Sequence, residues 1–239
     1  MQQYFADKPL KTGEEYIFTK EQAHHARDVL RMNHERIRLV YDGKGYFADA
    51  YPRGREFAAM VESEDPNDNE LSVSVTLCAA LIRREKMEFV LQKAAELGVS
   101  RIVPFESSRC VVREKKEKSL RLKERWTAIL REASEQCKRS RIPELTDITD
   151  FDHLKEYMGD ANLAAYENAY GTGRMLSECL GGSSITVVIG PEGGFSKEEV
   201  EKLAAAGFEP VSLGSRILRA ETASVYACSV IAEWAEVRL

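Results

Sequence analysis

The chain is short of the residues that build metal sites and disulfide frameworks. It has five cysteines and four histidines in 239 residues. The cysteines are odd in number, lie far apart and form no CxxC pair, and the histidines lack the HExxH spacing of zinc enzymes. We therefore expect no disulfide framework, no zinc site and no structural metal.

Long apolar runs are also missing. No segment approaches the eighteen or so uninterrupted apolar residues of a membrane-spanning helix, and the first residues lack the apolar stretch of a signal peptide. Apolar residues at 44% and charged residues at 31% are typical of a folded protein and exclude a largely disordered chain. We expect a cytoplasmic protein with no membrane association and with one large or two small domains.

Charge is unevenly distributed along the chain. The formal net charge is −5, yet residues 80–145 carry 17 basic and 10 acidic side chains. Such a basic belt is typical of a surface that binds a polyanion, and it is equally typical of a solvated, lysine-rich helix. Composition alone leaves both interpretations open.

Residues 1–70 predict a small β-rich module with one helix. Short runs rich in aromatic and β-branched residues predict strands at residues 14–19, 36–41, 45–51 and 55–62. The helix is predicted at residues 20–32, and Asp42-Gly43 predicts a hairpin turn. Residues 63–70 are polar and contain Pro66, which indicates a linker.

Residues 71–239 predict an α/β domain, because strand and helix patterns alternate there. Near-continuous apolar strands separated by helices are typical of a parallel sheet covered on both faces. One helix, at residues 83–97, should end at Gly98, and another should begin at Ser196 with a capping box to Glu199 and end at Gly207.

Two strand ends carry candidate binding loops, since ligands of open α/β sheets bind beyond the carboxyl ends of the strands. Residues 189–196 read IGPEGGFS, a glycine-rich turn before a helix. This turn lacks the GxGxxG and GK[ST] patterns, so a ligand loop and a tight structural turn are equally compatible with it. Residues 213–224 read LGSRILRAETAS, where Arg219 and Glu221 flank a helix start. Taken singly, these two residues are explained by a surface ion pair and an ordinary helix cap.

Taken together, the two stretches resemble the signature of the bacterial ribosomal RNA small subunit methyltransferase E family. The segments MEFVLQKAAELGV, ERWTAILREASEQCKRSRIPEL and QAHHARDVLRM, and the turn YDGKG, resemble the same family, so the resemblance covers nearly the whole chain. One departure is His34-Glu35, where the family pattern leads us to expect Gly-Asp.

The resemblance implies a fold and a reaction. The fold would be a PUA-like, RNA-binding β-barrel at residues 1–70 followed by a SPOUT-class α/β methyltransferase domain with a deep trefoil knot at residues 71–239, in a homodimer. General topology rules would argue against a knot. The reaction would be S-adenosylmethionine-dependent methylation of N3 of one uridine in the decoding region of 16S ribosomal RNA in the 30S subunit.

The resemblance also implies site residues, with no metal among the requirements. A pocket for S-adenosylmethionine needs apolar walls and backbone hydrogen bonds for adenine. Three loops are expected to supply it: Leu163, Ala165 and Tyr166; Ile189, Gly190, Gly193 and Gly194; and Leu213, Gly214, Ile217, Leu218 and Thr222. Because uracil N3 carries a proton, the reaction also needs a base and a stabiliser of negative charge. Arg219 is the candidate stabiliser, and Glu221 or Glu192 the candidate base.

The basic belt would then contact RNA phosphates. The expected contacts are Arg31, Arg83, Arg84, Lys86, Arg113, Lys115, Lys116, Lys138, Arg139 and Arg141. Two alternatives remain, namely a non-catalytic RNA-binding or ribosome-assembly factor and an enzyme for another nucleotide. The intact glycines and the Arg219 to Thr222 run disfavour the first alternative, and the missing phosphate-binding motifs disfavour the second.

Overall fold

The computed structural model describes residues 1–112, 116–166 and 173–237, with only the backbone described for residues 116–119. The chain forms two compact units. The first unit contains Met1–Glu70 together with Ser134–Arg141, and the second contains Leu71–Ala133 together with Ile142–Leu239.

A five-stranded sheet forms the first unit. Its strands are β1 (Gln2–Phe5), β2 (Glu15–Ile17), β3 (Glu35–Tyr41), β4 (Lys44–Arg53) and β5 (Glu56–Asp65). They lie in the order β1-β3-β4-β5-β2, with β1 parallel to β3 and the other neighbours antiparallel. The predicted hairpin turn is confirmed: Asp42 and Gly43 join β3 to β4 with φ of 48° and 78°, as a two-residue turn with two positive φ angles requires.

The helix predicted at residues 20–32 is shorter than expected. Helix α1 (Lys20–His24) begins with a capping box between Thr19 and Gln22 and passes directly into a π-helical turn, His25–Val29. The helical stretch ends because Arg31 takes a left-handed conformation, with φ of 55°, and the Met32 N–H then bonds back to the Ala26 carbonyl. This turn lets Met32 enter the core of the first unit.

A buried arginine ties residues 134–141 to the strands of the first unit. The Arg38 side chain is 2% exposed and donates hydrogen bonds to Asp65 Oδ2 at 2.7 Å, Gln3 Oε1 at 2.8 Å and Ser140 Oγ at 3.1 Å. A buried guanidinium needs this many acceptors, because each unpaired N–H would carry a desolvation cost. Arg38 therefore joins three parts of the first unit that are distant in sequence.

Glu70 provides a second tie to the same segment. Its carboxylate accepts hydrogen bonds from the backbone N–H groups of Ser140 and Arg141, at 2.9 and 3.0 Å, and pairs with the buried Arg139 guanidinium at 2.5 Å. The polar stretch predicted as a linker thus ends in a residue with a defined structural contact.

A seven-stranded sheet, in which every pairing is parallel, forms the second unit. Its strands are β6 (Ser74–Ala80), β7 (Arg101–Glu106), β8 (Glu144–Leu145), β9 (Thr149–Asp150), β10 (Ala161–Ala165), β11 (Ser184–Ile189) and β12 (Glu209–Val211). The order is β12-β10-β11-β6-β7-β8, and β9 also pairs with β7. The predicted α/β class with a parallel sheet is confirmed.

In the described part of the chain, four α-helices accompany this sheet. They are α2 (Arg84–Glu96), α3 (Lys116–Gln136), α4 (Lys197–Ala206) and α5 (Ala220–Glu236). The predicted signals at the ends of α4 are confirmed, since Ser196 and Glu199 form a capping box and Gly207 ends the helix with φ of 104°. Helices α2 and α5 pack against each other, and α5 also packs against β6 and β11.

Replacing Arg38 should destabilise the first unit. We expect Arg38→Met to lower the free energy of unfolding by about 3–5 kcal/mol, because Asp65 would keep a buried charge without its partner. Urea unfolding measures this loss. The control is Arg36→Met on the same strand, whose exposed pair with Glu62 should cost less than ~1 kcal/mol. Equal losses in the two variants would contradict the role given to Arg38.

Candidate functional site

One cavity opens where three neighbouring parallel strands of the second unit end. Strand β10 pairs with both β11 and β12, so the loops that follow these strands meet at the same edge of the sheet. The cavity has a volume of about 780 Å³ when its open mouth is included. Its walls consist of Ala165, Tyr166, Ile189, Gly190, Pro191, Glu192, Gly194, Phe195, Ser212, Leu213, Gly214, Arg216, Ile217, Leu218, Arg219, Ala220 and Ala223.

Most of the residues predicted to bind the cofactor line this cavity. The exceptions are Leu163, Gly193 and Thr222. Leu163 is buried within β10 as part of the core, and Thr222 is exposed in the first turn of α5. Gly193 lies against Arg109 instead, since a Cβ atom at this glycine would be 3.2 Å from Arg109 Cβ.

Six wall residues were not named individually as site residues, although all of them except Ser212 lie in the candidate stretches at residues 189–196 and 213–224. They are Pro191, Phe195, Ser212, Arg216, Ala220 and Ala223. Ala220 and Ala223 lie almost one turn apart on α5, so helical periodicity together with their small size was the available signal. Phe195 packs closely against Gly190, because a Cβ atom at position 190 would lie only 3.2 Å from the Phe195 ring.

Arg109 ties the glycine-rich loop to the segment that follows β7. Its guanidinium donates hydrogen bonds to the carbonyl oxygens of Gly193 and Phe195, at 3.2 and 3.3 Å. Both acceptors belong to the turn that supplies one wall of the cavity. Arg109 therefore fixes this wall from outside the cavity, in a role that the sequence pattern did not indicate.

A buried carboxylate makes a second connection between the same two segments. Glu199 accepts hydrogen bonds from Ser107 Oγ at 3.0 Å, from the Ser108 N–H at 2.9 Å and from the Ser196 N–H at 2.9 Å. Burial disfavours the charged form, but these hydrogen bonds outweigh it and lower the pKa of the Glu199 carboxyl from its ordinary value. The side chain that completes the predicted capping box thus also anchors the loop after β7.

Two of the three candidate catalytic residues line the cavity. Glu192 and Arg219 belong to its walls, whereas Glu221, in the first turn of α5, does not. Lys86 connects the two carboxylates, with its Nζ 3.2 Å from Glu221 Oε1 and 3.7 Å from Glu192 Oε1. The structure thus places Lys86, which was predicted to contact RNA phosphate, beside the candidate bases.

Other predicted RNA contacts have carboxylate partners. Arg84 pairs with Glu88 at 2.9 Å, and Arg125 donates two hydrogen bonds to the same carboxylate. The bond from Arg125, together with that from Arg84, lowers the pKa of Glu88 to about 2 despite some desolvation. Arg139 is buried against Glu70, as described above. Part of the basic belt is therefore neutralised within the protein.

The remaining predicted RNA contacts differ in their surroundings. Arg31, Arg83 and Arg141 are exposed. Lys138 is partly buried, which lowers the pKa of its ammonium, and its Nζ donates to the Glu135 carbonyl. Arg113 and Lys115 lie outside the described residues, and only the backbone of Lys116 is described.

In the part of the chain that the structure describes, no cluster of three or more His, Cys, Asp or Glu side chains is arranged to hold a metal ion. Among the helices of this part, none combines the length and the apolar character needed to cross a bilayer.

Comparison with known proteins defines the class. Residues 69–232, which include the whole cavity, match the family model of the RNA methyltransferase domain. Together with the parallel sheet and the cavity at its carboxyl edge, this match identifies an RNA methyltransferase.

The ribosomal RNA small subunit methyltransferase E of Bacillus subtilis is 34% identical over 97% of this chain and 96% of its own length. The enzyme of the same name from Rickettsia conorii is 32% identical over 87% of this chain and 85% of its own length. The chain belongs to the ribosomal RNA small subunit methyltransferase E family, as its sequence motifs indicate.

Solved structures agree with this assignment. The ribosomal RNA small subunit methyltransferase E of Neisseria gonorrhoeae, determined bound to S-adenosylmethionine, is 29% identical with a TM-score of 0.86 over 98% of both chains. A protein from Legionella pneumophila, determined with the same cofactor bound, is 31% identical with a TM-score of 0.89 over 97% of both chains. The likeness extends along almost the whole chain in both cases.

Protonating Glu199 should loosen the walls of the cavity. The pKa of the Glu199 carboxyl is lower in the folded state than in the unfolded state, where it is about 4.3. The ionised carboxylate therefore stabilises the fold fully above about pH 4.3, and this stabilisation is lost as the pH falls through the folded-state pKa. We expect Glu199→Gln to cost about 1–3 kcal/mol at neutral pH, and we expect the difference in Tm from wild type to narrow below about pH 4.

Thermal unfolding between pH 7 and pH 3 measures this effect. The matched control is Glu201→Gln, an exposed residue of the same helix that pairs with Lys197, and this substitution should leave the Tm almost unchanged. A Tm difference for Glu199→Gln that stays constant across the whole range would show that its charge contributes nothing.

Proposed function

We propose that the protein transfers a methyl group from S-adenosylmethionine to N3 of one uridine in the decoding region of 16S ribosomal RNA, giving 3-methyluridine. The observation that carries this proposal is the cavity at the carboxyl ends of β10, β11 and β12, lined by both family motifs. Two related structures that contain S-adenosylmethionine support the choice of cofactor. The assembled 30S subunit is the proposed substrate, because RNA is recognised largely through shape. This substrate would place the enzyme in the cytoplasm.

The walls of the cavity suit this cofactor. Ile189, Leu213 and Leu218 contribute apolar surface, and Gly190 and Gly214 leave backbone polar groups within reach of a ligand. Gly214 has φ of 116°, a conformation that a residue with a side chain rarely adopts. Adenine requires such a combination of apolar contact and backbone hydrogen bonds. When bound, S-adenosylmethionine would supply a methyl group attached to a positively charged sulfur, and the rest of the cofactor would leave as a neutral thioether.

The protein's own residues would prepare the uracil for this transfer. A carboxylate, Glu192 or Glu221, would accept the N3 proton, and the N3 electron pair would then form the new bond to the methyl carbon. The guanidinium of Arg219, which lies in the cavity wall, would stabilise the negative charge that develops on the uracil carbonyl oxygens. No metal takes part in this scheme.

The remaining features follow from family membership and are part of the same proposal. Residues 1–70 would form a PUA-like, RNA-binding barrel, and residues 71–239 a SPOUT domain whose C-terminal part forms a deep trefoil knot. The enzyme would act as a homodimer, and the exposed side chains of Arg31, Arg83 and Arg141 would contact RNA phosphates. The TM-score of 0.86 with the enzyme from Neisseria gonorrhoeae supports the architecture.

Methyl transfer to ribosomal subunits tests the proposal directly. Purified protein, S-adenosylmethionine labelled in its methyl group, and 30S subunits from cells that lack the endogenous activity should yield 3-methyluridine on nucleoside analysis. Subunits from cells that retain the activity serve as the control, since their uridine is already methylated. Cofactor binding without transfer would redirect the search to another RNA. The absence of cofactor binding by calorimetry would favour a non-catalytic assembly factor.

Substitution of Arg219 should separate catalysis from cofactor binding. We expect Arg219→Ala to lower kcat by about 10²–10³-fold, as for loss of one oxyanion-stabilising donor, and we expect the Kd for S-adenosylmethionine to change by less than about twofold. The control is Arg101→Ala, at the amino end of β7 and thus at the sheet edge opposite the cavity. An Arg219→Ala variant with wild-type turnover would disprove the role of this residue.

A further inference from the structure

Lys86 occupies an unusual position for a basic surface residue. It lies in the first turn of α2, and its Nζ is shared between Glu221 Oε1 at 3.2 Å and Glu192 Oε1 at 3.7 Å. These carboxylates come from the first turn of α5 and from the glycine-rich loop. A single ammonium group therefore connects three segments of the chain. More than a hundred residues separate Lys86 from either carboxylate in sequence.

The two carboxylates are not equivalent. Glu192 belongs to the wall of the cavity, and Glu221 does not. The side chain of Glu221 is only 16% exposed, and its Oε2 is buried without a hydrogen-bond partner in the described part of the chain. Glu221 thus contacts Lys86 without forming part of the cavity wall, whereas Glu192 can contact a ligand in the cavity.

The two carboxylates restrict the interactions that Lys86 can make. Two carboxylates that share one ammonium are attracted to it and repel each other, so removal of the ammonium would separate them. A phosphate that approached Lys86 would have to compete with both carboxylates for the same charge. The contacts of Lys86 therefore favour an internal role over the predicted phosphate contact.

We propose that Lys86 is a positioning residue that holds the Glu192 carboxylate at the wall of the cavity, with Glu221 anchoring Lys86 through the second ion pair. The inference rests on the proposed function and deepens it, because it assigns different roles to the two candidate bases. Glu192 accepts the uracil N3 proton. Glu221 acts only through Lys86 and does not touch the substrate.

The test compares substitutions in steady-state methyl transfer to 30S subunits. Lys86→Met should lower kcat by about ten- to a hundredfold, the scale of a misplaced catalytic group, and should leave the KM for subunits and the Kd for S-adenosylmethionine within about twofold. Lys86→Arg should recover most of the turnover, since a guanidinium can pair with both carboxylates. Glu192→Gln should lose more turnover than Glu221→Gln.

Lys93→Met is the matched control. Lys93 lies on the same helix, its side chain is also 31% exposed, and it pairs with Glu96. This variant should therefore keep wild-type kinetics.

Three outcomes would overturn the proposal. The first is a Lys86→Met variant with unchanged kcat, a raised KM and a weaker salt dependence of RNA binding, which would make Lys86 a phosphate contact. The second is a larger loss in Glu221→Gln than in Glu192→Gln. The third is a crystal structure of Lys86→Met in which the Glu192 carboxylate keeps its wild-type position, since Lys86 would then not hold it.

The crystal structure also separates this proposal from the proposed function. If wild-type protein transfers no methyl group to 30S subunits, the proposed function fails. The position of the Glu192 carboxylate in Lys86→Met still decides whether Lys86 holds it, and displacement of that carboxylate supports the inference.

Discussion

The parallel pairing of β10 with β11 on one side and β12 on the other is the constraint on which the functional site depends. Parallel neighbours end at the same edge of a sheet, so this pairing brings together loops that are separated by tens of residues in the chain. The glycine-rich loop after β11 and the loop after β12 both contribute walls to one cavity. Helix α5 then starts in the wall itself, at Ala220.

Charged side chains with several partners hold the segments in place. Arg38 and Glu70 fix residues 134–141 in the first unit, and Glu199 and Arg109 fix the glycine-rich loop in the second. Each of these groups makes two or more hydrogen bonds, and for the buried Arg38 and Glu199 these bonds offset the cost of removing the charge from water. The arrangement places rigid ties close to the cavity, where a ligand site needs preorganised walls.

Much of the fold was predictable because it depends on local rules. The turn at Asp42-Gly43 and the capping box at Ser196 are set by a few adjacent residues and lie where the sequence predicts them. The helix at residues 20–32 was predicted too long, because the left-handed turn at Arg31 leaves no signature in an ordinary side chain. The site was predictable in part: apolar and glycine residues of the family motifs line the cavity, but the sequence did not indicate that Arg109 fixes one of its walls.

The sequence by itself determined the class of fold, the segments that bear the binding motifs and the family, because periodicity, caps, turns and motifs are all written in neighbouring residues. Only the tertiary structure decided which charges meet. Lys86, Glu192 and Glu221 lie on three separate segments, and Arg139 and Glu70 are far apart in the chain. The sequence does not show which charged side chains will pair, because an ion pair depends on the distance between the two groups and on their burial, and the fold alone sets both.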